Sequence, residues 1–238
     1  YSFDHHGNCI RHISSATCVQ VLDALLLGFN PDGYNLYIND VDHDTVIAAA
    51  LLLNPELAKN IQAQEITRIV GLVDAHGPSY PLENSKQKLF DIFNHCVMDS
   101  FNESKRNKSY SEYNLEELLF DCINKFKLML EGKYNDFELK EPEIHYEITP
   151  KTNSDWIMVR SSSHVFKELY EKGYNKVILW EKMKDNSYSY TIGKRSEFID
   201  FPIPNILKKL NEKKAGWGGG STIGGAPRNS DGSRSKLT

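Results

Sequence analysis

The spacing of apolar and polar positions divides the chain into three stretches of different character. A short apolar lead over residues 1–3 predicts the end of a buried strand, with Asp4-His5-His6-Gly7-Asn8 at its carboxyl edge. Ser14-Ser15-Ala16-Thr17 is a helix-start signal, and Val19, Leu22, Leu25 and Leu26 follow at helical spacing. Gly28 and Asn30-Pro31-Asp32-Gly33 end that helix. Residues 34–38 alternate weakly and predict a second short strand, which leads into Asn39-Asp40-Val41-Asp42-His43-Asp44-Thr45. A strongly apolar helix over 46–53 is stopped by Asn54-Pro55, and a helix over 56–72 runs into Val73-Asp74-Ala75-His76-Gly77-Pro78.

In the middle, residues 86–102 and 113–130 carry apolar residues at helical spacing, separated by a polar stretch over 103–111. The last part alternates strand and helix signals. Strands are predicted over 156–160, 176–182 and 188–194, with Asp185-Asn186 as a hairpin turn between the last two. Helices are predicted over 165–172, ending at Gly173, and over 204–213. The pattern predicts an α/β protein in three parts. Residues 1–82 form a mostly parallel sheet with flanking helices, 83–135 a helical connector, and 136–238 a smaller mixed α/β domain.

The composition agrees with a folded protein. The 238 residues are 40% hydrophobic and 25% charged, with a formal net charge of −4. That balance argues against strong binding to duplex nucleic acid, which needs a positive footprint. It leaves room for a small phosphorylated substrate or a short single strand. No apolar run approaches the roughly 20 residues that span a bilayer. The start lacks the pattern of a secretory signal, and the four cysteines, Cys9, Cys18, Cys96 and Cys122, have no metal-binding or disulfide spacing. The expectation is a cytoplasmic protein with reduced thiols and no membrane partner, a homodimer being allowed for.

Carboxylates and imidazoles gather at the predicted strand ends. Asp4, His5 and His6 stand at one, and Asp40, Asp42, His43 and Asp44 at a second. Asp74 and His76 stand at a third. Oxygen and imidazole ligands converging from separate elements suit a divalent cation, Mn²⁺ by preference and Mg²⁺ if waters complete its shell. The competing reading is that these Asp residues cap the helices that follow. Towards the end, the run from Gly216 to Arg228 is glycine-rich but includes Trp217, Ile223 and Pro227. Glycines at Gly218, Gly219 and Gly220 let backbone approach a phosphate, and the N–H groups can form an anion nest. Ser221, Thr222 and Arg228 add donors, while a loose tail is the competing reading. Trp217 is the candidate for base stacking.

Two segments bear a resemblance to a known family. The run FDHHGN resembles the motif of the DHH phosphoesterase superfamily, and SSATCVQVLDALLLG is similar to the helix that follows it there. NDVDHDTVIAAALLL resembles the family's next motif, an Asp before an Ala/Leu-rich segment. Further on, YSYTIGKRSEFIDFPIPNILKKLNEKKAGWGGGSTIGGAP is similar in order and spacing to the associated C-terminal domain, with Ser221 where the family has a His. The resemblance covers roughly residues 1–55 and 155–228. It implies that His5 is a metal ligand, that His6 contacts substrate phosphate, and that Asp4 orients a His. It also makes Asp42 or Asp44 a ligand, and Arg195 and Ser196 phosphate contacts. Asp40, Asp74 and His76 are added on chemistry alone. The family places an HxDxD-like motif and a further Asp before DHH. Either those lie outside this chain, or Asp40, Asp42, Asp44 and Asp74 take their part. The activity implied is metal-dependent hydrolysis of a phosphodiester or phosphoanhydride in a small nucleotide or short oligonucleotide. The alternative is a non-catalytic nucleotide- or phosphate-binding module of the same fold.

Overall fold

Aliphatic residues every third or fourth position through the first half of the chain call for helices, and the computed structural model has them. It describes residues 2–4, 14–77, 80–106, 112–139, 145–149, 155–163, 165–182, 186 and 188–227. The chain divides into two compact units, residues 1–75 with 80–140, and 76–79 with 141–238.

The first unit contains α1 (Thr17–Leu26), α2 (His43–Leu53), a 3-10 turn (Pro55–Lys59) and α3 (Ile61–His76). They are followed by α4 (Asn84–Ile92), a π-turn (Phe93–Val97), α5 (Asp99–Arg106) and α6 (Leu115–Leu130). One core joins them, with Leu22, Ile47, Leu51, Ile66, Ile69, Phe93, Ile123 and Phe126 fully buried. Asp42 caps α2, its Oδ1 accepting the Thr45 N–H at 2.9 Å, and Asn114 caps α6. Asn60 accepts the Ala63 N–H at 3.0 Å, so α3 starts five residues later than its apolar pattern suggests. Gly71 lets α1 and α3 approach closely, because a Cβ there would stand 2.5 Å from Val19 Cγ2.

The mostly parallel sheet expected over 1–82 does not form. No strand occurs among the described residues of the first unit. Residues 2–4 run without regular structure, and their carbonyls are held by side chains of α1 rather than by a neighbouring strand. Residues 34–38 have the alternation of a strand but no strand beside them, and Tyr37 is 87% exposed. Period-two patterning produces a strand only where a partner satisfies the backbone.

The second unit holds one mixed sheet of β1 (Glu147–Ile148), β2 (Ile157–Arg160), β3 (Lys176–Lys182), β4 (Tyr188–Lys194), β5 (Gly218–Gly219) and β6 (Ile223–Gly225), in the order β1-β2-β3-β4-β6-β5. Only β2 and β3 are parallel, joined through α7 (Phe166–Glu171), and the other four pairings are antiparallel. Ile157, Val159, Val177 and Leu179 alternate onto the face that α7 covers with Phe166, Leu169 and Tyr170. Ile178 and Ile192 point to the opposite face, where α8 (Ile203–Lys213) packs Ile203 and Leu207 against them. Asn186 sits at φ 64°, the left-handed turn conformation expected between β3 and β4. No described helix is long and apolar enough to cross a membrane.

Phe126 has no solvent exposure and meets Phe93 edge to face at 5.7 Å. Phe126→Ala is expected to lower the stability of the first unit by about 3–5 kcal/mol in urea unfolding. A loss below about 1 kcal/mol would mean that α6 does not belong to this core.

Candidate functional site

Asp44 lies in the first turn of α2 and is 4% exposed. Its carboxylate does not cap its own helix. Oδ1 accepts the Cys18 N–H at 2.7 Å and Oδ2 the Thr17 N–H at 3.1 Å, so both oxygens close the N-terminus of α1. The first amides of a helix lack internal partners and carry positive partial charge, which offsets the cost of burying a carboxylate. The same Thr17 donates its hydroxyl to the Phe3 carbonyl at 3.3 Å, and Gln20 Nε2 donates to the Asp4 carbonyl at 3.3 Å. The chain entering the DHH-like run is thereby fastened to the turn that holds Asp44. Asp4 itself is exposed. His5 and His6 lie outside the described residues.

Asp74, near the end of α3, belongs to the same neighbourhood. Cys18 is fully buried, and burial is the main cause that pushes its thiol well above the ordinary cysteine range, with the negative charges of Asp44 and then Asp74 adding to it. The thiol donates to the Thr67 carbonyl at 3.4 Å. Two carboxylates from α2 and α3 therefore act on the first turn of α1. His76, two positions further along the same helix, is exposed.

The remaining acids have local tasks. Asp42 caps α2 through Thr45, and Asp40 Oδ1 accepts the Val41 N–H at 2.7 Å. His43 Nε2 pairs with Asn94 Oδ1 at 2.8 Å, and its ring lies 6.2 Å from Phe90, 5.9 Å from Phe93 and 5.9 Å from Phe101. Burial lowers its pKa below the ordinary imidazole value, against smaller opposing effects of Asn94, Asp42 and Asp74. Among the described residues, no group of three His, Cys, Asp or Glu is placed to hold a metal ion.

In the second unit the glycine-rich run folds back as the β5–β6 hairpin rather than trailing off. Gly219 (φ 149°) has Ile223 O and Gly224 Cα within 2.4 Å of where a Cβ would be, so the turn requires glycine. Gly218 and Gly220 face open space, leaving their backbone approachable. The Gly220 N–H is taken by the Ile223 carbonyl at 2.8 Å, and the Thr222 carbonyl accepts the Lys194 N–H at 2.9 Å. Ser221 donates its hydroxyl to Glu197, which is also 3.5 Å from the Lys194 ammonium. Lys194 and Glu197, absent from the sequence candidates, thus lie closest to the loop. The signal was the GKRS strand end, one position earlier than read. Arg195 donates to the Tyr170 carbonyl at 3.2 Å, and the Ser196 carbonyl accepts the Ile199 N–H at 3.1 Å, so both have structural partners. Trp217 packs against the α8 cluster, with its backbone N–H and carbonyl both bound by Asn211. Arg228 lies outside the described residues.

No family model matches this chain, and no match is found among curated proteins.

The depressed pKa of His43 sets a sign for stability against pH. The fold prefers neutral imidazole, so the unfolded chain takes up the proton first as the pH falls. Stability from this group is full above the ordinary value of 6.5 and is lost as the pH drops through the lower folded value. In chelator-containing buffer, urea midpoints should fall between pH 7.5 and 5. The slope should be shallower in His43→Gln. Equal slopes in the two proteins would contradict the assignment.

Proposed function

We propose that the protein is a divalent-metal-dependent phosphoesterase acting on a phosphodiester or phosphoanhydride of a small nucleotide or short oligonucleotide. The observation that carries this reading is the double role of Thr17. Its N–H holds the Asp44 carboxylate, and its hydroxyl holds the carbonyl of Phe3, the residue before Asp4-His5-His6. Two sequence motifs separated by some forty residues are tied to one helix turn, and that pairing is what the DHH family resemblance implies. Asp74 adds a second carboxylate to the neighbourhood. Negative charge concentrated in a buried setting is relieved by a cation.

In this reading Asp44, Asp74 and His5 hold the ion, which supplies Lewis-acid polarisation and an activated water when bound. Asp44 keeps lone pairs beyond the two engaged by α1, since a carboxylate offers about four acceptor sites. His6 is assigned to the substrate phosphate, and Asp4 to orienting an imidazole. The glycine-rich turn around Gly219 and the guanidinium of Arg228 are assigned to substrate binding. Asp40 and Asp42 each have one oxygen on a neighbouring amide, and His76 is exposed, so they stand behind Asp44 and Asp74 as ligands in this reading.

A second reading, a non-catalytic phosphate-binding module, is favoured by the engagement of both Asp44 oxygens with α1. Hydrolysis of bis(p-nitrophenyl) phosphate in Mn²⁺ separates the two. Turnover is expected with Mn²⁺, to be abolished by chelation, and to fall at least about 100-fold in His5→Ala. Arg228→Ala should raise KM with little change in kcat. Phosphate binding without turnover would establish the second reading. Full activity in His5→Ala would overturn the first.

A further inference from the structure

The sheet of the second unit has a face that α8 covers at one end and leaves open at the other. Ile178 and Ile192 lie under α8. Beyond them on the same face come Trp180 and Tyr190, paired across β3 and β4, and then Lys182 and Tyr188, the next pair in register. Arg160 on β2 is the cross-strand neighbour of Trp180 on the other side. Its guanidinium lies 5.6 Å from the Trp180 ring centre, and Tyr188 approaches the same ring at 5.9 Å. Trp180 Nε1 donates to Thr149 Oγ1 at 3.2 Å, which fixes the indole. None of Trp180, Tyr188 and Tyr190 belongs to a buried core cluster, and each is partly exposed. A cavity of about 360 Å³ lies at the carboxyl ends of the two parallel strands, lined by Arg160, Lys182, Ser161 and Ser162 and also by Glu147 and Glu181.

We infer that this open end of the sheet is a platform for single-stranded nucleic acid, with bases stacked on Trp180 and Tyr188 and backbone phosphates held by Arg160 and Lys182. Neither cation is ion-paired among the described residues, whereas Lys172, Lys176 and Lys194 in the same unit each meet a carboxylate. A guanidinium lying on an indole, with an ammonium on the same strand pair, complements a ligand that alternates flat bases with negative charge. Glu147, opposite Arg160, and Glu181, on the cavity wall, limit the positive field. Charge therefore does not suffice for a duplex, and stacking carries the affinity. Stacking selects a flexible strand whose bases can turn outward.

The platform stands on the sheet alone and goes beyond the hydrolytic reading by naming the substrate class. Its test uses the whole chain in EDTA, so that no turnover intervenes. Anisotropy of labelled 12-nucleotide oligo(dT) and oligo(U) should show binding at low salt, with the matching duplex much weaker. Trp180→Leu, which keeps apolar bulk, should weaken single-strand binding about 5- to 150-fold, the range for losing one stacked base. Tyr188→Leu, at a less constrained position, should act in the same direction. Arg160→Gln with Lys182→Gln should reduce the slope of log affinity against log salt by about 1.4. Far-ultraviolet circular dichroism checks that each variant folds. Absence of single-strand binding, equal duplex affinity, or unchanged affinity in folded Trp180→Leu and Tyr188→Leu would each overturn the platform. Hydrolysis of bis(p-nitrophenyl) phosphate in Mn²⁺ is measured on the wild-type protein beside the binding assay. Loss of that activity in wild type with oligonucleotide binding retained sinks the hydrolytic reading and leaves the platform standing.

Discussion

The carboxylate of Asp44 on the first amides of α1 is the constraint from which the first unit is built. A carboxylate buried to this degree is costly unless hydrogen bonds and opposing charge compensate it. Here two N–H groups at 2.7 and 3.1 Å and the positive end of a helix do so. The bond is long-range in sequence, and it fixes the start of α2 against the start of α1. Phe3 and Asp4 then dock on the same turn through Thr17 and Gln20. Gly71 brings α3 close enough for Asp74 to influence Cys18. One polar contact thus determines where three stretches carrying candidate chemistry meet. The same contact serves the fold, so a variant at Asp44 tests stability and chemistry together, and His5 is the cleaner probe of chemistry.

The second unit divides its sheet between packing and exposure. One face is closed by α7, and Gly193 leaves no room for a side chain there, since a Cβ would meet Phe166 at 2.5 Å. The other face is half closed by α8, with Gly224 shaped against Leu207. The β5–β6 hairpin extends the sheet on the far edge, and its glycines split into two kinds. Gly219 and Gly224 are required by the packing, while at Gly218 and Gly220 a Cβ would meet open space. The first kind explains why the segment folds.

Elements with an internal signal were legible in the sequence. β3 and β4 fall at the expected residues, and α1, α2, α6, α7 and α8 lie within a few residues of their apolar patterns. What was not legible depended on partners distant in the chain. Residues 34–38 alternate like a strand yet have none beside them among the described residues, so the parallel sheet drawn from that pattern is not found there, and the sheet of the second unit has one parallel pairing in five. The competing role weighed for Asp44, capping the following helix, belongs to Asp42; Asp44 caps the preceding one. Trp217 looked like a stacking residue because it borders glycines, whereas it packs against α8, and Trp180 lies on the part of the sheet beyond that helix. Cross-strand register groups Arg160, Trp180 and Tyr188, and no local spacing in the sequence shows that grouping.

Amide hydrogen exchange at Thr17 and Cys18 measures the central contact directly. In Asp44→Asn the side chain keeps its size, but it loses its charge and one of its two acceptors. Hydrogen bonds to a charged group contribute about 1.5–3 kcal/mol, so these amides should exchange about 10- to 150-fold faster relative to those of α6. Unchanged relative protection at both positions would show that Asp44 does not hold α1, and the joining of the two motifs at that turn would fall with it.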